Sequence, residues 1–432
     1  MTRPGDATRH YNARMEKLRI QGGRLLSGVV PIGGAKNAAL PALAATLLTE
    51  QEVRLENVPA VRDVDTTCKL LQQLGVTVQR PSPGVVVTRG SGSTDSEAPY
   101  DLVKTMRASF LVLGPLLART GHGRVSLPGG CAIGARPVDR HLDGFVRLGA
   151  ELRVEHGYVE ARCSRLRGAE IAFDVPTVGG TENCMMAATL AQGVTVLRNA
   201  AREPEIIDLA MLLKRMGATI TGAGTDTIRI EGVDQLHGAE HRVIPDRIEA
   251  GTYLIAGALA GEGLELINCC PDHLQSVIDK VRDAGVQVEV LADSLKVTRP
   301  ALTLPVDLRT QPYPGFPTDM QAQFMVLMTQ ARGRSVIREA IFENRFMHVP
   351  ELHRMGADIS IDGRSAVVRG RTALSAARVM ATDLRASSAL VLAGLLAEGE
   401  TVVDRLYHLD RGYEKLEIKL TAAGAVVQRF RE

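Results

Sequence analysis

The chain of 432 residues has no tryptophan, and aromatic residues make up only 3% of it. Its cores must therefore be packed by small aliphatic side chains. It has no large charge excess either, with 51 lysines and arginines against 49 acids and a formal net charge of +2. That balance excludes the broad basic field that binds nucleic acid without sequence preference, so any anionic ligand must be held locally. The six cysteines, Cys68, Cys131, Cys163, Cys184, Cys269 and Cys270, form no C-x-x-C pair and no finger-like spacing with histidine. A reducing cytoplasm and no structural zinc are expected. The adjacent Cys269 and Cys270 read as packing, because neighbouring cysteines bridge only with strain. The ten histidines show no metal-ligand spacing. No apolar run approaches the roughly 20 residues of a membrane span, so no membrane insertion is expected. Residues 1–14 are polar, with no apolar stretch of the kind that directs export; they read as an N-terminal extension, disordered, before patterned sequence begins at Met15.

What the chain does contain is a repeat. A helical pattern ending at a glycine and followed at once by alternating apolar residues occurs six times, with the glycines at 75, 149, 217, 285, 356 and 424. Their separations are 74, 68, 68, 71 and 68 residues. Regularity of this kind marks copies of one supersecondary unit that must pack on one another. In the third copy Ile206, Leu209, Ala210 and Leu213 fall at helical spacing before Gly217, as suits a C-terminal helix cap. Each copy also holds an earlier helix rich in alanine and leucine, such as the one containing Leu390 to Leu396. A helix apolar over most of its surface belongs inside the fold. Helices and strands alternating along the chain predict an α/β protein, and the length suggests about two to three domains.

Three stretches have chemical potential. Pro128-Gly129-Gly130-Cys131-Ala132-Ile133-Gly134-Ala135-Arg136 sets a thiol in a glycine-rich segment near a cation, a setting in which cysteine works as nucleophile or acid rather than as a small buried hydrophobe. Gly33-Gly34-Ala35-Lys36-Asn37 is a strand-to-helix turn with a lysine at the helix start. It lacks the Walker spacing, in which lysine directly follows the second glycine, so triphosphate hydrolysis is not expected; amides and a lysine at a helix N-terminus can still hold an anion. Several alanine-rich helices are predicted to open with a hydroxyl residue and a polar partner: Thr105-Met106-Arg107, Thr181-Glu182-Asn183, Thr318-Asp319-Met320 and Thr382-Asp383-Leu384-Arg385. Capping explains the threonines and aspartates. Arg107 and Arg385 gain nothing at the positive end of a helix dipole, and with Arg136, Arg247 and Arg411 in turns they point to a multiply charged anionic ligand. Arg202-Glu203-Pro204-Glu205 and Pro245-Asp246-Arg247-Ile248-Glu249 read as structural turns at helix starts.

These motifs, together with Lys104-Thr105-Met106-Arg107-Ala108-Ser109, Phe316-Pro317-Thr318-Asp319-Met320-Gln321, Phe342-Glu343-Asn344-Arg345-Phe346 and Asp410-Arg411-Gly412-Tyr413-Glu414, carry a resemblance over nearly the full length. The chain resembles the UDP-N-acetylglucosamine 1-carboxyvinyltransferase branch of the enolpyruvyl transferase family. The resemblance implies a two-domain inside-out α/β barrel, or α/β prism, of six βαβαββ repeats, three per domain. One domain would comprise residues 15–35 and 244–432, the other 36–243. It implies transfer of the enolpyruvyl group of phosphoenolpyruvate to the 3′-hydroxyl of UDP-N-acetylglucosamine with loss of phosphate, in the cytoplasm, with no metal or organic cofactor. Cys131 would protonate the methylene carbon and Asp319 would accept the hydroxyl proton. Lys36, Arg136 and Arg411 would neutralise the phosphate and carboxylate, with Arg107 in the same cluster. Asn37 and Ile341 would contact substrate, as would Arg140, Asp383 and Arg385, while Pro137, Val138, Asp139 and Thr177-Val178-Gly179 would hold the uridine diphosphate. A cysteine in the loop implies sensitivity to the epoxide fosfomycin. Two departures, Arg62 where the family often has lysine and the unmatched first 14 residues, touch none of this chemistry. The competing readings are the sister enzyme acting on shikimate 3-phosphate, which lacks the cysteine loop, and a silent paralogue that binds a UDP-sugar. Retention of Lys36, Cys131, Asp319 and Arg411 weighs against the latter.

Overall fold

Helices rich in alanine and leucine carry the apolar load. In the computed structural model, which describes residues 16–91, 96–104, 106–127 and 138–431, helix Gln321–Thr329 is buried at every position. Helix Leu384–Leu396 is buried from Arg385 through Leu395, and Lys36–Ala45 from Ala38 onward. Such helices have no polar face to offer to water, so strands and other helices must cover them on all sides. Helices Arg62–Gln73 and Gln275–Asp283 are one-sided, their buried residues falling at helical spacing, and so lie at the surface. Few large rings fill the interior: Tyr253, Phe110, Phe145 and Phe324 are the largest fully buried side chains, and leucine, valine and alanine do the rest.

The described strands form six four-stranded sheets of one design. An edge strand runs parallel to its neighbour, which pairs antiparallel with the third, which pairs antiparallel with the other edge. Glu170–Ala172, Val194–Arg198, Thr227–Glu231 and Thr219–Thr221 make one such sheet, with Val196 opposite Arg229. Alternate residues point inward, as in Val194–Arg198, where Thr195 and Leu197 are fully buried. The glycines at 75, 149, 217, 285, 356 and 424 have φ of 87°, 91°, 105°, 88°, 90° and 100°. Each follows a helix in the left-handed conformation that ends helices, where a Cβ would be strained.

The chain divides into two compact units. One is drawn from residues up to Pro31, Ala250–Thr310 and Thr318 onward; the other is Ile32–Glu249 with Gln311–Pro317. Each contains three of the sheets. Two pairings make the first unit discontinuous. Strand Val29–Pro31 runs parallel to Glu262–Ile267, and strand Glu16–Gln21 lies between Glu400–Asp404 and Val426–Arg431, antiparallel to both. Among the described residues no helix is long and apolar enough to cross a membrane.

Candidate active site

In the unit containing Ala250–Thr310, the centre of the site is Asp319. It sits in a single 3-10 turn, Thr318–Met320, that leads into the buried helix Gln321–Thr329. The sequence assigns Thr318 and Asp319 to helix capping, and the structure corrects this. Asp319 Oδ1 accepts a hydrogen bond from Arg345 Nη2 at 2.6 Å and Oδ2 accepts one from Arg385 Nη2 at 2.7 Å. The Thr318 hydroxyl donates to Glu339 Oε2 at 2.9 Å. The carboxylate is therefore claimed by two guanidiniums, a stronger attraction than helix amides offer. Both arginine side chains are nearly buried, at 4% and 6% exposure, while Asp319 keeps 26%. A guanidinium has no acceptor, so both carboxylate oxygens accept.

The surrounding turns are fixed by backbone capping. Asp383 caps helix Leu384–Leu396, accepting from the amides of Arg385 and Ala386 at 2.8 and 3.0 Å. Arg385 thus stands at the helix start because its partner Asp319 waits there; the negative group inferred from its misplaced charge includes a carboxylate of the chain itself. Arg385 Nη1 also reaches Tyr413 Oη at 3.4 Å, and Tyr413 Oη lies 2.8 Å from Thr252 Oγ1. Arg411 is half-buried in the turn just before Tyr413. Burial, with the charge of Arg411, lowers the pKa of the His408 imidazole, while Asp383 acts in the opposite sense, so His408 stands near both. Glu339, 1% exposed, organises the Ile341 segment: its Oε1 accepts from the amides of Ile341 and Phe342 at 2.8 and 3.0 Å and from Thr310 Oγ1 at 2.9 Å. Through Thr318 the same carboxylate ties Ile341 to the Asp319 turn.

In the other unit Lys36 opens helix Lys36–Ala45. Its amide donates to Asp246 Oδ2 at 3.3 Å and its Nζ to Asp63 Oδ2 at 3.2 Å, with Asp63 nearly buried. Asp246 also accepts from the amides of Ile248 and Glu249, capping helix Arg247–Ala260. Asn37, beside Lys36, is half-buried. Arg107 begins the turn Arg107–Val112, close to His141. Burial pushes the His141 imidazole down to about 4, with the Arg107 charge adding to the effect. His141 lies edge-on to Phe110 at 5.3 Å and pairs with Asn183 at 3.1 Å. Its helix, Asp139–Arg147, packs tightly on helix Val178–Ala188: a Cβ on Gly144 would come within 2.3 Å of Cys184 Sγ. At the start of the second helix, a Cβ on Gly179 would come within 3.2 Å of the His141 ring. The start of the second helix differs from the sequence reading. It is capped by Thr177, whose hydroxyl accepts from the Gly180 amide at 3.3 Å, and not by Thr181, which lies within the helix and accepts from the Ala201 amide. The Gly179-Gly180 pair reads as helix-poor in sequence, but the cap three residues earlier carries it.

Cys131, Arg136, Pro137 and Thr105 lie outside the described residues. Each unit otherwise brings part of its own set together: Asp319 with Arg385, Asp383 and Arg411 both near His408, and Ile341 joined through Glu339, in one; Lys36 beside Asn37, and Arg107 near His141, which also faces Gly179, in the other. Sequence reasoning gave no role to Arg345, Glu339 or His141. Arg345 stood within the Phe342–Phe346 motif, and Glu339 directly follows strand Arg334–Arg338, where a carboxylate can cap the exposed amides of a turn. His141 carried no local signal. No group of three or more metal-binding side chains suited to a metal ion occurs among the described residues.

A family model described as EPSP synthase (3-phosphoshikimate 1-carboxyvinyltransferase) matches residues 20–420. A protein of Granulibacter bethesdensis named UDP-N-acetylglucosamine 1-carboxyvinyltransferase is 58% identical over 418 residues, covering 96% of this chain and all of its own length. Proteins of the same name from Acidobacterium capsulatum and Koribacter versatilis are 58% and 57% identical over 421 and 422 residues, with 96% and 97% of each chain covered. Among solved structures, the enolpyruvyl transferase NikO from Streptomyces tendae superposes with a TM-score of 0.89 at 28% identity, over 97% of this chain and 99% of that one. An EPSP synthase from Acinetobacter baumannii shares the fold, with a TM-score of 0.75 at 16% identity over 96% of this chain and 100% of that one. With this identity along the whole matched length, the chain belongs to the enolpyruvyl transferase family, among the UDP-N-acetylglucosamine 1-carboxyvinyltransferases.

Proposed function

We propose that the protein transfers the enolpyruvyl group of phosphoenolpyruvate to the 3′-hydroxyl of UDP-N-acetylglucosamine and releases phosphate, the first committed step of peptidoglycan synthesis. The observation that carries this reading is the 58% identity, end to end, with proteins of that name. In the reaction the sugar oxygen adds to the central carbon of phosphoenolpyruvate, its proton passes to Asp319, and Cys131 protonates the methylene carbon. Collapse of the tetrahedral intermediate removes a proton from the new methyl group and expels phosphate, restoring the double bond. Lys36, Arg107, Arg136, Arg385 and Arg411 offset the phosphate and carboxylate charges as they shift, the kind of stabilisation that a preorganised site supplies. Asn37, Ile341 and Asp383 contact substrate, and Pro137, Val138, Asp139, Arg140 and Thr177 to Gly179 hold the uridine diphosphate.

The same reading extends to architecture and place. The six sheets are the six βαβαββ repeats, closed three by three into inside-out α/β barrels, one for each of the two compact units. The enzyme works in the cytoplasm on two small soluble substrates, with no nucleic acid partner.

Phosphate release from phosphoenolpyruvate, measured with UDP-N-acetylglucosamine and with shikimate 3-phosphate, tests the proposal. Release only with the UDP-sugar is expected. Release only with the shikimate compound would establish the sister activity. A UDP-sugar that stabilises the fold by about 2.7 kcal/mol at roughly 100 times its dissociation constant, with no phosphate released, would mark a silent binder. Fosfomycin adds a second measurement. Burial raises the thiol pKa of Cys68, Cys163, Cys184 and Cys269, to about 12 for Cys184 and about 11 for Cys269. These four are poor nucleophiles, which leaves Cys131 and Cys270, and mass spectrometry should find the epoxide on Cys131, the thiol set in the glycine-rich segment near a cation. A label on any of the other five cysteines, with activity lost in parallel, would overturn the Cys131 assignment.

A further inference from the structure

We propose that Arg429 is a positioning residue for Arg411, tying the neighbouring Asp410 to the last strand of the chain and so fixing where the Arg411 charge stands. This rests on the reading that Arg411 offsets the charge of phosphoenolpyruvate. Arg411 belongs to a single 3-10 turn, Leu409–Arg411. A turn so short has little stability of its own, and its place must come from anchors. One anchor lies on the inner side. Gly412 presses on Leu384, where a Cβ would come within 2.7 Å of Cδ2, and Tyr413 Oη meets Thr252 and Arg385.

The other anchor is Arg429, in strand Val426–Arg431. Its Nη1 and Nη2 donate to Asp410 Oδ2 and Oδ1 at 3.0 and 2.6 Å. Its Nε and Nη2 donate to Glu417 Oε1 and Oε2 at 2.9 and 3.3 Å, and Nη1 donates to Glu16 Oε2 at 3.0 Å. All five N–H donors of the guanidinium are thus matched to three carboxylates on three elements: strand Glu16–Gln21, the Leu409–Arg411 turn and helix Leu416–Ala422. Arg431 adds two hydrogen bonds to Glu16, at 3.0 and 2.8 Å. Exposed pairs contribute little singly, but a bidentate, shared network is the exception. A planar fork can hold Asp410 and Glu417 in two-point contact at once; a lysine ammonium, with three donors on one atom, cannot. Of the three ties only the one to Asp410 leads to the turn that carries Arg411.

Loss of Arg429 altogether would leave three carboxylates facing one another, so the decisive variants are milder. Asp410→Asn cuts the tie to the turn and keeps the rest of the network. Arg429→Lys keeps the charge and loses the fork. Glu417→Gln weakens the tie to the helix and leaves both bonds to Asp410. Asp410→Asn and Arg429→Lys should raise KM for phosphoenolpyruvate by about tenfold while KM for UDP-N-acetylglucosamine stays within roughly twofold, the pattern of a displaced charge at one substrate. Glu417→Gln should lower the melting temperature and leave both constants alone. If Glu417→Gln raises the phosphoenolpyruvate KM as much as Asp410→Asn does at equal loss of melting temperature, the network merely holds the fold and the proposal is overturned. Arg411→Lys, measured alongside, separates the two levels. A large effect there with none from Asp410→Asn overturns the positioning role alone, whereas no effect from Arg411→Lys overturns the role of Arg411 and this proposal with it.

Discussion

Two carboxyl groups, one in each unit, stand near the start of a buried helix in opposite company. Asp319 precedes helix Gln321–Thr329 and is held by Arg345 and Arg385. Glu182 lies in the second turn of helix Val178–Ala188, 3% exposed, and faces Glu205 and Glu203. The nearby guanidinium of Arg247 donates to Glu205 at 3.0 Å, and among the described residues Glu182 Oε1 has no hydrogen-bond partner. Burial first, then the charges of Glu205 and Glu203, push the Glu182 carboxyl well above the ordinary carboxylate range. One acid stands just before its helix and the other inside it, and the neighbours set how each carboxyl is treated. Cations gather round the acid that the proposed chemistry needs ionised, whereas burial and two carboxylate neighbours disfavour the ionised form of the other.

The largest test of this contrast is Asp319→Asn. An asparagine amide cannot accept from two guanidiniums through both of its ends, so Arg345 or Arg385 is left without its acceptor in a nearly dry place. Turnover should fall by about 10²-fold or more, the scale of a lost general base. The fold should lose about 2 kcal/mol, less than a fully buried pair would cost because Asp319 is partly solvated. Had Asp319 been a helix cap, asparagine would have served as well. A variant with low turnover and unchanged stability would break the comparison, since it would mean that the two arginines do not depend on the carboxylate.

The second test uses a feature the units share. Each buries a histidine near an arginine, His141 near Arg107 and His348 near Arg345, and burial pushes both imidazoles down to about 4. An unfolded histidine titrates near ~6.5. Between these values the unfolded chain binds more protons, so stability is whole above pH 6.5 and is lost as pH falls toward 4. The His141 contribution amounts to about 2 kcal/mol lost by pH 5. Denaturant midpoints from pH 7.5 to 4.5 should show this slope in the wild type and a shallower one in His141→Gln. Equal slopes would show that His141 is charged when folded, and the Arg107 cluster would then hold one more cation.

How much of this was legible depends on range. The six glycines end helices in the left-handed conformation, as their local pattern predicted, because a helix terminus is decided within a few residues. Burial of the Leu390 to Leu396 helix was legible for the same reason. The charge of Arg385 at the wrong end of its helix was visible too, but not its partner 66 residues away. Thr181 looked like a cap until the chain showed Thr177 doing that work one turn earlier. Glu339 offered only its place after a strand, and its ties to Thr310 and Thr318 were not visible; His141 left no sequence signal, since its bond to Asn183 joins segments that meet only in the folded unit. The pairing of strand Val29–Pro31 with Glu262–Ile267 rests on three residue pairs separated by more than 200 positions, which no periodicity could reveal.

The smallest test returns to Glu182. Its folded pKa is raised, so the native state keeps a proton that the unfolded chain gives up near ~4.3. The sign is therefore opposite to that for histidine: this contribution is whole at low pH and declines as pH rises through the window between the unfolded and folded values. Glutamine is close to a protonated glutamate in shape and cannot titrate. Glu182→Gln should match the wild type near pH 4.5 and become the more stable of the two as pH rises, by about 1 kcal/mol near neutrality. The groups facing it are Glu203 and Glu205, with Arg247 beyond, and Glu203 is itself raised by burial. Because the carboxyls interact, the proton belongs partly to the cluster, and Glu203→Gln run in parallel shows which member holds it. A stability difference that grows with pH only in Glu203→Gln would move the proton to the residue that precedes helix Pro204–Arg215 and keep the contrast with Asp319. A difference independent of pH in both variants would mean that the cluster is fully ionised, and the opposition between the two units would fail.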